Sequence, residues 1–341
     1  MAHRIRHSVA WISKPGGIGL ARSCPALLAC FVSPLLLPDI AGAQSYPVRP
    51  IRILVGFTAG GATDLSARFL AQKLSETVGQ QVVVEDRPGA GSMLAAESVA
   101  RSAPDGYTML VANVTIAMPS MFAKLSFDVR KDLAPVTLVG FGQLTLVVHP
   151  SLPVKSIKDL VTLAKRKPGT LNYGSAGTGA FTHLAMALFE SMTGARMVHV
   201  PYKGSTQASF GVITGEAQLL FSSPAAVIGQ VKEGRLRAIG VSGTTRSAIL
   251  PDVPTIAEAG VPGYDATSWY GMLAPGGTPR PAITRLSEES IKALGTPDLR
   301  ERLLVQGIDP AKGGVDEFAA VLKAEIPKWE KVIKAAGIPP Q

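Results

Sequence analysis

The chain has 341 residues, of which 46% are hydrophobic and 17% charged, with a formal net charge of +9. That is the composition of a folded protein of about two domains, and it excludes an intrinsically disordered chain. The Lys and Arg residues are scattered, unlike the clusters of a nucleic-acid surface, and no apolar run reaches the ~20 residues of a membrane-spanning helix.

The first 43 residues differ from the rest. Arg4, Arg6, Lys14 and Arg22 make a basic start, Cys24 to Pro38 is apolar, and Ala41-Gly42-Ala43 supplies small residues at the spacing signal peptidase reads. That order predicts an exported, periplasmic protein cleaved after Ala43. A rival reading is lipidation at Cys30, because Leu27-Leu28-Ala29-Cys30 is a loose lipobox. Both cysteines lie in this leader, so a chain starting at Gln44 has no disulfide, thiolate metal site or cysteine nucleophile. The leader holds four Lys/Arg and one acid, Asp39, so its removal takes the net charge to +6. That mildly suits an anionic ligand.

From Ile51 onward, apolar strand-like runs alternate with helical patterns. Strands are predicted over 51–57, 81–85 and 107–112. Between them stand an amphipathic helix over 64–78, ended by Gly79, and a helix over 92–102, ended by the turn Pro104-Asp105-Gly106. This β-α-β-α-β order implies a parallel sheet covered by helices. The pattern restarts with a strand over 144–149 and a helix over 156–167, with Ser156 as its N-cap. Strands over 171–174, 197–200, 218–221 and 236–242 follow, each of the first three leading into a helix. After a strand over 269–273 the chain reads as helical to its end, over 281–294, 297–306 and 315–336. The expected architecture is α/β, with lobe 1 over 44–146 plus 266–341 and lobe 2 over 147–265.

Open α/β sheets bind ligands beyond the carboxyl ends of their strands, and two glycine loops stand there. Thr58-Ala59-Gly60-Gly61-Ala62-Thr63-Asp64 follows the first strand, and Ser175-Ala176-Gly177-Thr178-Gly179-Ala180 follows the strand over 171–174. Both open helices, whose N-termini combine unpaired N–H groups with partial positive charge and so suit an anion. Asp64 reads either as a cap or as a ligand contact, and repulsion of an anion favours the cap. Neither loop is a nucleotide motif or a nucleophile elbow. His183, one or two turns into the second helix, could bond backbone, line the site or act as a base for Ser175. The only other histidines after the leader are His149 and His199, with no acid at ligand spacing, so neither metal nor cofactor is expected. Trp269 and Tyr270 stand where the chain would recross between lobes, as cleft wall or as core.

The residues resemble the Bug (Bordetella uptake gene) family, also called the TctC-like receptors of tripartite tricarboxylate transporters. The stretches that carry this include Tyr46-Pro47-Val48-Arg49-Pro50, Gly60-Gly61-Ala62-Thr63-Asp64 and Glu85-Asp86-Arg87-Pro88-Gly89-Ala90-Gly91. Others are Ala103-Pro104-Asp105-Gly106-Tyr107, Leu171-Asn172-Tyr173-Gly174-Ser175-Ala176-Gly177, Val200-Pro201-Tyr202-Lys203-Gly204 and Leu250-Pro251-Asp252-Val253-Pro254-Thr255. The resemblance implies a periplasmic binding protein of two α/β lobes. Its cleft would close on a small organic acid, held by backbone N–H groups of the two glycine loops, and hand it to membrane permease subunits. Carried over, the site is Phe57 and Ala59 to Asp64, Asn113 and Thr115, then Ser175 and Gly177 to Ala180 with His183 behind, and Ser222 and Ser223. Where relatives have prolines before the two glycines this chain has Thr58 and Ala59. Where many have Asp-Asn it has Ser222-Ser223, which points to an organic acid without an amino group. A monomer is expected, with no nucleic-acid partner. Alternative readings are a ligand-presenting component of a membrane sensor kinase, and a hydrolase using Ser175 and His183.

Overall fold

The computed structural model describes residues 46–122 and 124–340, so the predicted leader, its cleavage point and both cysteines lie outside the described residues. Three β-branched-rich strands open the fold: β1 (Ile51–Val55), β2 (Val82–Asp86) and β3 (Thr108–Asn113). They pair in parallel, with Ile53 opposite Val84 on one side and Met109 on the other. Parallel pairing requires a crossover, which α1 (Ala62–Val78) and α2 (Met93–Ala100) provide. Helix α1 buries Ala67, Leu70, Ala71, Leu74 and Val78 at helical spacing and stops at Gly79 in the left-handed region.

The sheet is not wholly parallel, as the β-α-β-α-β reading implied. Its order is β11-β4-β10-β3-β1-β2, with β4 (Leu133–Gly142), β10 (Ser268–Pro275) and β11 (Ile308–Pro310) beside the parallel core. Strand β10 runs antiparallel to both β3 and β4, and β11 antiparallel to β4. The cause is connectivity: β4 leads out to a second sheet and β10 is the return, so the two point opposite ways. The sequence reading assigned no element to 133–142 because Pro135, Gly140 and Gly142 interrupt its apolar run. Gly140 is required there, since a Cβ would sit 2.7 Å from the Asp309 carbonyl oxygen.

The second sheet has the order β7-β6-β8-β5-β9. Its strands are β5 (Thr145–Val148), β6 (Asn172–Ser175), β7 (Val198–Pro201), β8 (Leu219–Ser222) and β9 (Arg237–Val241). β6 is parallel to β7 and β8, while β5 is antiparallel to β8 and β9. The helices between them are α3 (Ile157–Arg166), α4 (Phe181–Thr193), α5 (Ser205–Ile213) and α6 (Pro224–Lys232). Ser156 caps α3, its hydroxyl accepting from the Asp159 N–H at 3.2 Å. Helices α7 (Arg280–Leu294), α8 (Pro297–Val305) and α9 (Val315–Ala335) complete the fold.

The chain crosses between sheets at Gln143-Leu144 and again over 242–267. Ser242 joins the two crossings, and no part of it is exposed. Its hydroxyl donates to the Ala266 carbonyl at 2.7 Å and accepts from the Leu144 N–H at 2.8 Å. The largest apolar cluster continues through both sheets, from Leu110 and Leu138 to Leu146 and Phe221, with Trp269, Phe318 and Trp329 inside it. Residues 44–341 form one compact unit, and among the described residues no helix is long and apolar enough to cross a membrane.

Candidate functional site

The carboxyl ends of β1, β2, β3, β6, β7 and β8 all open onto one cavity of about 580 Å³. Each end contributes its following loop: Phe57 and Thr58, Gly91, Asn113 and Thr115, Ala176 to Ala180, Gly204 and Ser205, and Ser223. Gln143 and Leu144 at the crossing, Ser268 and Tyr270 of β10, and Gln306-Gly307 also line the cavity. Met118, Met121, Phe122 and Phe181 form an apolar wall. None of the lining residues is Asp, Glu, Lys, Arg or His.

Of the residues expected from sequence, the cavity gathers Phe57, Asn113, Thr115, Gly177, Thr178, Gly179, Ala180 and Ser223. Ala59, Gly60, Gly61, Ala62, Thr63, Asp64, Ser175, His183 and Ser222 do not line it. Ala59, Gly60 and Gly61 are exposed, while Thr63, Asp64, Ser175, His183 and Ser222 are buried outside its lining. Asp64 is 1% exposed. Its Oδ2 accepts from the Gly60 N–H at 2.7 Å, and its Oδ1 lies 2.6 Å from Arg68 Nε. Arg68 reaches on to Asp86 at 2.7 Å. Burial raises the Asp86 carboxyl above its ordinary range, helped by the adjacent Asp64 and opposed by Arg68. Asp64 therefore holds the loop just ahead of α1, between the Gly60 N–H and the Arg68 guanidinium. Asn113 ties this loop to its neighbour, its Nδ2 donating to Thr63 Oγ1 at 3.1 Å and its Oδ1 accepting from the Thr115 N–H at 3.0 Å.

The second loop is held by its own side chains. The Ala176 N–H donates to Thr182 Oγ1 (3.0 Å), Gly177 N–H to Ser175 Oγ (3.1 Å), Gly179 N–H to His183 Nδ1 (3.0 Å), and Ala180 N–H to the Gly177 carbonyl (3.1 Å). Four of the N–H groups expected to face an anion are thus engaged within the loop. The donors that remain are those of the first turn of α4 at Phe181 and Thr182, ahead of the helix ladder. Gly177 has φ +129°, which only glycine holds without strain.

Behind this loop lies a stack of rings. His183 and His199 are parallel with centroids 3.8 Å apart, and Tyr173 stacks on His199 at 5.1 Å. Burial, and then the neighbouring His199, push the His183 imidazole down to about 4. Burial also lowers His199. Both rings are neutral near pH 7, so His183 Nδ1 can accept from Gly179. Ser175 pairs with His199, Oγ to Nε2 at 2.6 Å, rather than with His183. Its side chain is fully buried and absent from the cavity wall, so the Ser175–His183 pair of the hydrolase reading does not form. Tyr270 lines the cavity, whereas Trp269 is core at 1% exposure.

The profile of the tripartite tricarboxylate transporter family receptor matches residues 66–338. The chain belongs to this family. The receptor is 33% identical to the protein BugT of Bordetella pertussis over 315 residues, 92% of this chain and 97% of BugT. It also superposes on solved structures. One, R. palustris Rpa4515 with adipate, gives a TM-score of 0.76 at 36% identity, covering 87% of this chain and all of that one. The periplasmic binding protein BugD gives 0.73 at 31% identity, covering 87% of this chain and all of that one. The two-lobed periplasmic binding protein fold implied by the resemblance is therefore the receptor's fold.

Sequence reasoning missed the Gly91 and Gly204-Ser205 loops, although each follows a strand and the same rule would have found them. It also missed Met118, Met121, Phe122 and Gln306-Gly307. No local pattern marks these: Met118, Met121 and Phe122 follow Thr115 closely but read as ordinary core residues, and Gln306-Gly307 reach the cavity only through the tertiary fold.

Proposed function

We propose that this receptor captures an organic carboxylate in the cavity between its two sheets and delivers it to the membrane permease subunits of a tripartite transporter. The observation that carries this is the convergence of the N-termini of α4, α5 and α6 on a cavity with no acidic lining residue. Helix N-termini stabilise negative charge, and the absence of a carboxylate on the wall leaves that preference unopposed. The family membership and the adipate in the related structure support the same reading. A ligand ammonium would find no acidic partner, since Ser222-Ser223 follows β8, so the acid carries no amino group.

The lobes are 44–146 with 266–341, and 147–265. The ligand closes them only by its differential affinity for the closed form. The chain acts as a monomer in the periplasm, exported by its first 43 residues and cleaved after Ala43. A thermal-shift screen against di- and tricarboxylates, aromatic acids and amino acids tests the binding. A ligand at 100 times its dissociation constant adds about 2.7 kcal/mol, a shift of several degrees. Failure of every acid at millimolar concentration refutes the receptor reading. N-terminal sequencing of the protein from the periplasmic fraction tests the export, with a start other than Gln44 counting against cleavage after Ala43.

A further inference from the structure

We propose that the ligand is a monocarboxylate with an uncharged, largely apolar body. This rests on the receptor reading above and names the ligand class of that same cavity.

The two sides of the cavity are chemically unlike. On the second sheet's side, α4, α5 and α6 reach it at Phe181, Ser205 and Ser223. None of these helices has an acidic residue in its first turn or a side-chain cap at its N-terminus. This side therefore offers the ligand uncapped helix ends and no negative charge.

On the first sheet's side the corresponding helix, α1, already carries a carboxylate. Asp64 stands in its first turn and accepts from the Gly60 N–H, and residues 60–64 do not line the cavity. A second carboxylate of a ligand would meet none of the α1 N-terminal residues on the cavity wall. What that side presents instead is the apolar Phe57, Met118, Met121 and Phe122 and the ring of Tyr270, beside the uncharged polar side chains of Thr58, Asn113, Thr115 and Ser268. Phe181 faces them from the start of α4, its ring held edge-on against Trp329 at 5.4 Å. Aromatic rings and methionine thioethers make good contacts with a flat apolar body. Burying a second charge among them, with no counter-charge on the wall, is costly. One end anionic and the other apolar is the complement of this cavity.

The test is isothermal titration of the purified protein with phenylacetate, benzoate, succinate, malate, adipate and phenylalanine. Phenylacetate or benzoate is expected to bind at least about tenfold more tightly than the three dicarboxylates or phenylalanine, a difference of about 1.4 kcal/mol. Truncating the apolar wall by Phe122→Ala or Met121→Ala is expected to weaken the aromatic acid about tenfold or more. The ligand ranking is read on the unsubstituted protein and holds whether or not the variants fold. If succinate, malate or adipate binds as tightly as the aromatic acids, this inference is overturned and the receptor reading stands. If phenylalanine does, the missing ammonium partner has been misjudged and the inference also falls. If none of the acids binds, this inference falls, and the wider thermal-shift screen decides the receptor reading separately.

Discussion

His183 holds the second cavity loop only while it is neutral, and this makes the loop acid-sensitive. Its Nδ1 must accept from the Gly179 N–H, and its ring lies 3.8 Å from that of His199. Protonation removes the acceptor and places a cation against a second buried imidazole. The unfolded chain takes up this proton near 6.5, and the folded one only at about 4. Between those values the unfolded state binds more protons, so the stability that the neutral ring contributes is lost as the pH falls. At about 1.4 kcal/mol per pH unit, the whole window is worth about 3 kcal/mol for this 7%-exposed residue. His199, also lowered by burial, acts in the same sense. Glu190, raised by burial, acts in the opposite one. The clean measurement is therefore a difference. His183→Asn replaces Nδ1 with an amide oxygen that can accept from Gly179 but cannot be protonated in this range. Urea denaturation followed by circular dichroism at pH 7, 6, 5 and 4.5 should show the parent losing about 2 kcal/mol more than the variant across the range. Parallel losses in the two proteins would refute the argument that His183 is kept neutral by the fold.

Three further substitutions probe the frame around the cavity. Ser223→Asp places a good helix N-cap at α6 and a negative charge on the cavity wall. The melting temperature should hold or rise while affinity for any carboxylate drops by about tenfold or more, and calorimetry that finds undiminished affinity would show that α6 does not face the anion. Arg68→Leu leaves the buried Asp64 without its cation; allowing for the partial exposure of Arg68, a loss of about 2 kcal/mol is expected in urea denaturation. Gly271→Ala drives a Cβ to 2.2 Å from the Phe318 ring, which is fully buried beside Trp269. It should cost about 2 kcal/mol, read as a lowered denaturation midpoint.

Much of this fold was legible because its signals are local. The period-3.6 pattern of α1 and its Gly79 stop, the Ser156 cap of α3, and the alternation of strand and helix each lie within a few neighbouring residues. Those signals placed nearly every helix, and the family motifs along the chain named the receptor fold. They also located both glycine loops, because a loop after a parallel strand is a local fact. Long-range contact decided the rest. The direction of β10 depends on where the chain returns, and β4 becomes a central strand despite Pro135 and its glycines because β10 and β11 flank it. Only the folded chain shows that Asp64 turns inward to Arg68, that Ser175 meets His199 rather than His183, and that most N–H groups of the second loop are engaged within it. The apolar wall of Met118, Met121, Phe122 and Phe181 is likewise a tertiary product. The amino-acid order by itself determined most of the elements and the family, since these follow from local periodicity and from short motifs. Which residues line the cavity was decided by packing, because residues far apart in sequence become neighbours only when the two sheets meet.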